Sequence, residues 1–177
     1  GGRMFALLLI PDTLDCIEFI ARESVLPHLT ARLEGETLIL ENSNSCFYQR
    51  DYKKVKANIH YKNLRNLNLY EPCKLTTQKP ITGTLSLVVQ AEMAEVDIDI
   101  NSDRFYFYNH TTTGGKYTFR GLVDYSSIAG YYTAQFNLDE LQARQASGRQ
   151  LEPKVCRGPE RVRVQPKIPQ NGHVQRA

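Results

Sequence analysis

Apolar residues occupy alternate positions in a series of short segments through the middle of the chain. Alternation with a period of two places one side chain inside and the next outside, as in a half-buried strand. Polar or small residues separate the segments, and no stretch of three helical turns keeps the period of about 3.6 residues typical of an amphipathic helix. The chain is therefore predicted to be almost entirely strand. The segments are 55–59, 67–69, 85–87, 96–100, 105–107, 117–119 and 136–138.

Short strands at similar spacing predict a coil, because each strand can bury its apolar side only against the next turn. We therefore predict an all-β solenoid, a parallel β-helix, whose inward side chains stack in columns. A sandwich of two sheets, such as a carbohydrate-binding jelly roll, is the alternative, but its strands would be longer, about six to nine residues. The residues expected in the columns are Leu67, Leu69, Leu85, Leu87, Ile98, Ile100, Phe105 and Phe107.

The stretch before these repeats is less regular and is predicted to be a cap, since an open strand edge invites association. Residues 5–10 and 16–20 alternate as two strands, and we expect this pair to cap one end of the coil. Residues 30–33 and 37–40 frame a short turn and predict a hairpin. Pro27 allows one helical turn at most before that hairpin.

Glycine, asparagine and proline separate the later strands, because they favour the backbone conformations of turns. Turns are predicted at residues 101–103, 113–115 and 129–130, and Gly148 ends the clear repeats. One last alternating strand is predicted at Val162 and Val164.

We predict one domain over residues 5–165. Residues 1–4 are interpreted as a flexible start that resembles a cloning remnant, and residues 166–177 as a flexible basic tail. The formal net charge is +3, and residues 157–177 carry five basic residues against one acidic, +4 in all, which leaves −1 for the rest of the chain. A nucleic-acid-binding protein usually carries its positive charge on the folded body, so we expect no nucleic-acid partner.

The four cysteines are widely spread and show no C-x-x-C pair, so we predict no zinc site, and nothing in the sequence calls for another metal or a cofactor. One disulfide and buried free thiols both stay open as readings of these cysteines. The longest apolar run, residues 4–10, is far shorter than the roughly 20 residues of a membrane span.

Four acidic residues and one arginine are candidates for chemistry on the coil. Asp97 and Asp99 alternate with apolar residues, so they share the outer side of one strand. Two carboxylates in such positions can act as acid and base on a polysaccharide, or as ligands of a cation, with Asp103, Arg104 and Asp124 as further members. The alternative interpretation, which we favour, is the solvated side of an amphipathic strand.

Tyrosines form the most distinctive predicted surface. If Phe105 and Phe107 point inward, Tyr106 and Tyr108 stand together outside, and Tyr125, Tyr131 and Tyr132 in later repeats could lie near them. Exposed tyrosines offer flat apolar area with a hydroxyl group, which suits sugar rings or a protein partner. Tyrosines that only stabilise the coil from outside are the alternative.

Two short motifs match known functional patterns, but matches of this length are common by chance. Thr113-Gly114-Gly115-Lys116 lacks the upstream glycine and the following helix of a phosphate loop, so it predicts a turn. Asn109-His110-Thr111 fits the pattern for asparagine-linked glycosylation.

Several stretches resemble the head GIN domain family of putative auto-transporter adhesins, found mainly in exported proteins of Bacteroidetes. Leu26-Pro27 resembles the turn in the family's entry segment, and Gly35-Glu36-Thr37-Leu38 is similar to its gly-x-thr-leu motif. The likeness extends over roughly residues 15–165, by the rhythm of the repeats. The stretches that carry it are 17–29, 33–40, 55–59, 64–69 and 121–141.

The resemblance implies a right-handed β-helix of parallel strands with no established enzymatic activity. It also implies export to the cell surface or the periplasm, with the signal, and a lipid anchor if there is one, removed from this chain. It brings no catalytic residues, cofactor or metal. Whether the chain forms a homo-oligomer stays open.

Two functions from different classes follow. The first and preferred one is a non-enzymatic surface module, adhesin-like or structural, that binds glycan or protein through the tyrosines. The second is a β-helix enzyme that degrades or modifies polysaccharide with the acidic residues. An enzyme needs acids that converge in a groove, whereas a binding module needs an exposed aromatic patch.

Overall fold

A computed structural model describes residues 5–34, 37–43, 55–111, 114–131 and 133–151 of the 177-residue chain. Most of these residues lie in strands, and the single helical element within these ranges is a short 3-10 turn, Leu26–His28. The prediction of an all-β chain is confirmed. The strands are β1 Phe5–Pro11, β2 Cys16–Ile20, β3 Leu29–Glu34, β4 Thr37–Asn42, β5 Val55–Tyr61, β6 Asn66–Leu69, β7 Cys73–Thr77, β8 Ile81–Val89, β9 Glu95–Asn109, β10 Lys116–Tyr131, β11 Gln135–Asn137 and β12 Leu141–Leu151.

The chain winds into a β-solenoid of about four turns with two sheet faces, which confirms the predicted fold class. On the first face, strands β5, β1, β7, the first part of β9, the first part of β10 and β11 lie side by side and are all parallel. On the second face, β6, β8, the rest of β9, the rest of β10 and β12 follow the same order, also in parallel. The right-handed sense of the coil stays a prediction.

Inward side chains stack in columns through the coil. Leu75, Val96, Tyr117 and Phe136 share one register position on the first face, each about 20 residues after the last, which is the period of a solenoid. Of the residues predicted for the columns, all but Leu67 are buried, and Leu67 is half-buried in the terminal strand β6.

Aromatic rings join the two faces inside the coil. Phe107, on the second face, contacts Tyr117, Phe119 and Phe136, which lie in strands of the first face, at ring-centroid distances of 4.8, 5.0 and 5.7 Å. Burial of one such side chain contributes about 1.5–3 kcal/mol to stability. The coil is therefore held together chiefly by apolar packing across its interior.

The predicted short strands on either side of residues 101–103 are one strand. The ladder with β10 runs from Glu95 to Asn109 and skips Asp103, and the buried positions change there from Ile98 and Ile100 to Phe105 and Phe107. The chain therefore bends at a corner without leaving the sheet, because the skipped residue turns the opposite side inward.

Other predicted ends of strands were also wrong. Residues 129–130 lie within β10, and β12 continues past Gly148 to Leu151. The parallel ladder between β10 and β12 runs to the last residue of both strands, so the two strands support each other where a turn had been expected. The turn at residues 113–115 is described only for its glycines, which lie outside the strands.

The N-terminal segment differs from the prediction in one strand. Strand β1 lies inside the first face between β5 and β7, paired with both, so it is part of the coil and no cap. Strand β2 pairs with β5 in antiparallel fashion at the edge of that sheet. The predicted hairpin is confirmed as β3 and β4, and Val25 and Leu29 beside it are buried in the core.

Several predictions fall outside the described residues. They are the flexible start at residues 1–4, the last strand at Val162 and Val164, and the basic tail at residues 166–177. Of the four cysteines, the structure describes Cys16, which is exposed, and Cys73, which is buried, both as free thiols. Within the described ranges, no helix is long and apolar enough to cross a membrane.

Candidate functional site

Two tyrosines meet on the outside of the second face. Burial of Phe105 and Phe107 turns Tyr106 outward, and the ring of Tyr106 lies 5.9 Å from that of Tyr125 on the next strand, at an angle of 54°. The parallel register places Tyr125 opposite Arg104 and Ser127 opposite Tyr106, so the two rings are diagonal neighbours. The sequence prediction that these two residues come together is supported by this geometry.

The other three predicted tyrosines extend this picture only in part. Tyr108 lies on the same face, half-buried, with its ring 4.1 Å from that of His110. Tyr131 is the last residue of β10, but its side chain, and the whole of Tyr132, lie outside the described part of the chain.

The outward residues around the tyrosine pair are almost uncharged. Among those the structure describes on the second face of β6, β8, β9 and β10, the single charged residue is Arg104. We call this surface the tyrosine face. Besides Tyr106, Tyr108, Tyr125 and Arg104, it comprises Asn66, Asn68, Thr84, Ser86, Val88, Ser127 and Ala129.

The acidic candidates Asp97 and Asp99 lie on the opposite side of the coil. Both are on the outer surface of the first face, where Nη2 of Arg120 is 2.6 Å from Oδ1 of Asp97 and Nε of Arg120 is 2.8 Å from Oδ1 of Asp99. The hydrogen bond to Asp99 is the main cause that raises the pKa of Arg120. One guanidinium therefore holds both carboxylates as an ion-paired cluster.

The third acidic candidate, Asp103, lies elsewhere. It occupies the corner between the faces, opposite Asp124 of the next turn, as the pairs on either side of it show. Nε of Arg144 is 3.3 Å from Oδ1 of Asp124, and both side chains are largely exposed. The structure therefore does not bring Asp97, Asp99 and Asp103 into one site.

A groove of about 460 Å³ runs along this corner, and we call it the corner groove. Sequence reasoning named its acidic residues but missed Leu122, whose exposed fraction is 56%. No signal in the local sequence marked it, because its chain neighbours are Gly121 and Val123 and its polar neighbours come from other strands. The main lining residues are Asn101, Asp103, Leu122, Asp124, Gln142 and Arg144.

Two glycines shape the corner. Gly121 has a φ of +111°, and a Cβ atom there would lie 2.0 Å from the carbonyl oxygen of Ile100, so two turns of the coil approach closely at this residue. Gly83 has a φ of +82° with no atom within 4 Å of its Cβ position. Only glycine adopts such conformations readily, so these residues permit the bend.

The interior holds polar groups that solvent does not reach. Burial raises the pKa of the Cys73 thiol and of the Tyr117 hydroxyl to about 12 in each case. Asn109 is fully buried, and its side-chain oxygen accepts hydrogen bonds from the backbone and hydroxyl of Thr111. The glycosylation motif at this asparagine is therefore inaccessible in the folded chain. In the described residues, no group of three or more His, Cys, Asp or Glu side chains could hold a metal ion.

Comparison with known families identifies the fold's relatives. The family described as putative auto-transporter adhesin, head GIN domain, matches residues 9–149, most of the chain. The chain belongs to this family. This confirms the resemblance drawn from the sequence motifs. A search of curated proteins gives no match.

Two solved structures share the architecture of this GIN domain. One is a putative adhesin from Bacteroides fragilis, with a TM-score of 0.71 and 15% identity over 85% of this chain and 70% of that chain. The other is a putative lipid binding protein from Parabacteroides distasonis, with a TM-score of 0.55 and 16% identity over 84% of this chain and 71% of that chain. At such low identity they establish the fold alone.

Proposed function

We propose that this GIN domain is a non-enzymatic, adhesin-like module of an exported or cell-surface protein, and that it binds a glycan through the tyrosine face. Family membership and the name of the first structural relative support an adhesin-like surface role. The glycan and the tyrosine face are our proposal, and they rest on the surface chemistry of this chain.

The observation that carries the proposal is the ring pair of Tyr106 and Tyr125 on a surface with few charges. Tyrosine offers a rigid, flat apolar area at low cost in conformational entropy, and serine and asparagine supply adaptable hydrogen bonds. Sugar rings have apolar faces edged by hydroxyl groups, so they match both components. Because few charges lie on this surface, little desolvation of ions opposes binding.

An enzyme that acts on polysaccharide has less support. Of its four proposed acids, Asp97 and Asp99 pair with Arg120 on the first face. The other two, Asp103 and Asp124, line the corner groove, where Asp124 pairs with Arg144. An acid–base pair on a glycosidic bond must face one shared space, since both groups act on the same bond. The tyrosine face needs no such convergence.

The test is binding of the purified domain to a glycan array, with Tyr106→Ala/Tyr125→Ala beside the wild type. The matched control is Tyr70→Ala, which removes a tyrosine that is 62% exposed and lies outside the tyrosine face. We expect the double variant to lose binding by about tenfold or more, and the control to bind like the wild type.

Thermal unfolding of all three proteins establishes that they fold equally well. Release of reducing sugar from the bound glycans would identify an enzyme and contradict the proposal. Equal binding by the wild type and the double variant would remove the tyrosine face from the binding site. Binding to proteins but to no glycan would make the partner a protein.

A further inference from the structure

The corner groove adjoins the tyrosine face directly. Asp103 precedes Arg104 and Asp124 precedes Tyr125, so one step along each strand leads from the groove to the face. Leu122 and Tyr125 are three residues apart on one strand, a distance of about 10 Å at about 3.3 Å per residue. That is farther than a single sugar ring can span.

The groove has an apolar centre between polar edges. Leu122 pairs in register with Asn101 on one side and with Gln142 on the other, and its side chain is 56% exposed. An exposed leucine offers apolar surface to one face of a sugar ring. The amide groups beside it can both donate and accept hydrogen bonds, as sugar hydroxyl groups require.

The groove carries no excess of positive charge. Its charged lining residues are Asp103, Asp124 and Arg144, and Nε of Arg144 is 3.3 Å from Oδ1 of Asp124. Two carboxylates and one guanidinium group leave nothing to attract an acidic sugar.

Building on the proposed function, we propose that the corner groove is a second sugar subsite, and that the ligand is a neutral oligosaccharide long enough to contact both Leu122 and the tyrosine pair. The tyrosine pair binds one ring, and Leu122 binds a ring farther along the chain. Neither subsite needs a metal or a cofactor to hold a neutral sugar.

The experiment measures affinity against chain length, by calorimetry, with neutral cello-, malto-, xylo- and manno-oligosaccharides from the monosaccharide to the hexasaccharide. Oligogalacturonates of the same lengths serve as acidic probes. Wild-type affinity is expected to rise about tenfold or more from the shortest to the longest member of the neutral series that binds. Leu122→Ala is expected to lose most of that gain while short members bind as before.

The matched control is Leu14→Ala, since Leu14 is 72% exposed in the turn after β1, away from the groove. It should show the wild-type dependence on length. Affinity independent of length, or a Leu122→Ala protein that matches the wild type at every length, would overturn the groove as a subsite while the tyrosine face keeps its role.

Three other outcomes also contradict the inference. Tighter binding of oligogalacturonates than of neutral chains would show that the ligand class is acidic. Absence of binding by every neutral oligosaccharide would overturn the inference at once. Wild-type binding by Tyr106→Ala/Tyr125→Ala would overturn the proposed function itself, which separates the two failures.

Discussion

The two faces of the coil share one inward pattern and differ in what they show to solvent. On the first face, charged residues pair across strands, as Arg120 does with Asp97 and Asp99, and as Lys74 does with Glu95 at 3.7 Å. On the second face, tyrosines, hydroxyl groups and amides predominate among the described outward residues of β6, β8, β9 and β10, and Arg104 is the charged residue beside them. The same interior therefore supports two surfaces of different chemistry.

This difference separates residues that pair with one another from residues that we propose to bind a ligand. Arg120, Asp97 and Asp99 on the first face already have partners within the chain, so a ligand would have to compete with them. The tyrosine face opposite has few charges of its own. We therefore expect the interior to supply most of the stability and the tyrosine face to be available for recognition.

The largest effect is expected where the two faces meet inside the coil. Phe107→Ala removes a fully buried ring of the second face that contacts aromatic rings of the first, so it should lower the free energy of unfolding by about 3–5 kcal/mol. Urea denaturation measures this change. Ser127→Ala, at an outward position, should stay within about 0.5 kcal/mol of the wild type. A loss below about 1 kcal/mol for Phe107→Ala would contradict the shared core.

The next largest effect is expected at the corner that separates the faces. Gly121→Ala combines an unfavourable φ with a clash against the carbonyl of Ile100, and should destabilise by about 3 kcal/mol or more. Gly83→Ala has a similar φ but open space, so only conformational strain remains, about 1 kcal/mol. Thermal unfolding of both variants compares them. Equal losses of stability in the two variants would show that the close approach at Gly121 does not contribute to the free energy of unfolding.

A smaller effect is expected from the ion pairs of the first face. Arg120→Gln leaves two like-charged carboxylates without their partner and should cost about 1 kcal/mol at low ionic strength. The loss should shrink in about 1 M salt, where the repulsion is screened. Arg144→Gln, whose side chain is 85% exposed, should cost almost nothing. A loss of stability that does not change with salt would show that Arg120 stabilises the fold by packing of its aliphatic side-chain stem and not by its charge.

The smallest effect is expected at Asp12, whose carboxylate lies 2.9 Å from Nδ1 of His60. The hydrogen bond from His60 lowers the pKa of Asp12 below its ordinary value of 3.8. A lowered pKa stabilises the fold above the ordinary value, and this stabilisation is lost as the pH falls through the lowered one. His60→Ala should therefore remove a small part of the acid dependence of unfolding below pH 3.8. An NMR titration of Asp12 that is unchanged in this variant would contradict the assignment.

Local alternation was sufficient to predict the strands and the inward columns, because burial of one side of a strand depends on neighbouring positions in the chain. It also placed Phe105 inward and Tyr106 outward. Alternation could not show that residues 101–103 form a corner inside a continuous strand. That result depends on hydrogen bonds to β8 and β10, which are distant in sequence.

The candidate site was likewise predictable only within a single strand. The tyrosines of one strand follow from the pleat, but the contact between Tyr106 and Tyr125 depends on the register between two turns of the coil. The partner of Asp97 and Asp99, Arg120, also comes from the next turn. Leu122 becomes the centre of a groove only because Asn101 and Gln142 from neighbouring strands lie beside it.

Strand β1 has a consequence for how the molecule is made. Phe5 pairs with Val55 on one side and with Cys73 on the other, so β1 has no complete pairing site until both neighbouring strands have been synthesised. Until then its apolar residues Leu7 and Leu9 are exposed to strand edges of other nascent chains. Pairings this distant in sequence form slowly. We therefore expect a chaperone to matter most in the interval before both pairing partners of β1 have been synthesised, rather than while the later repeats coil.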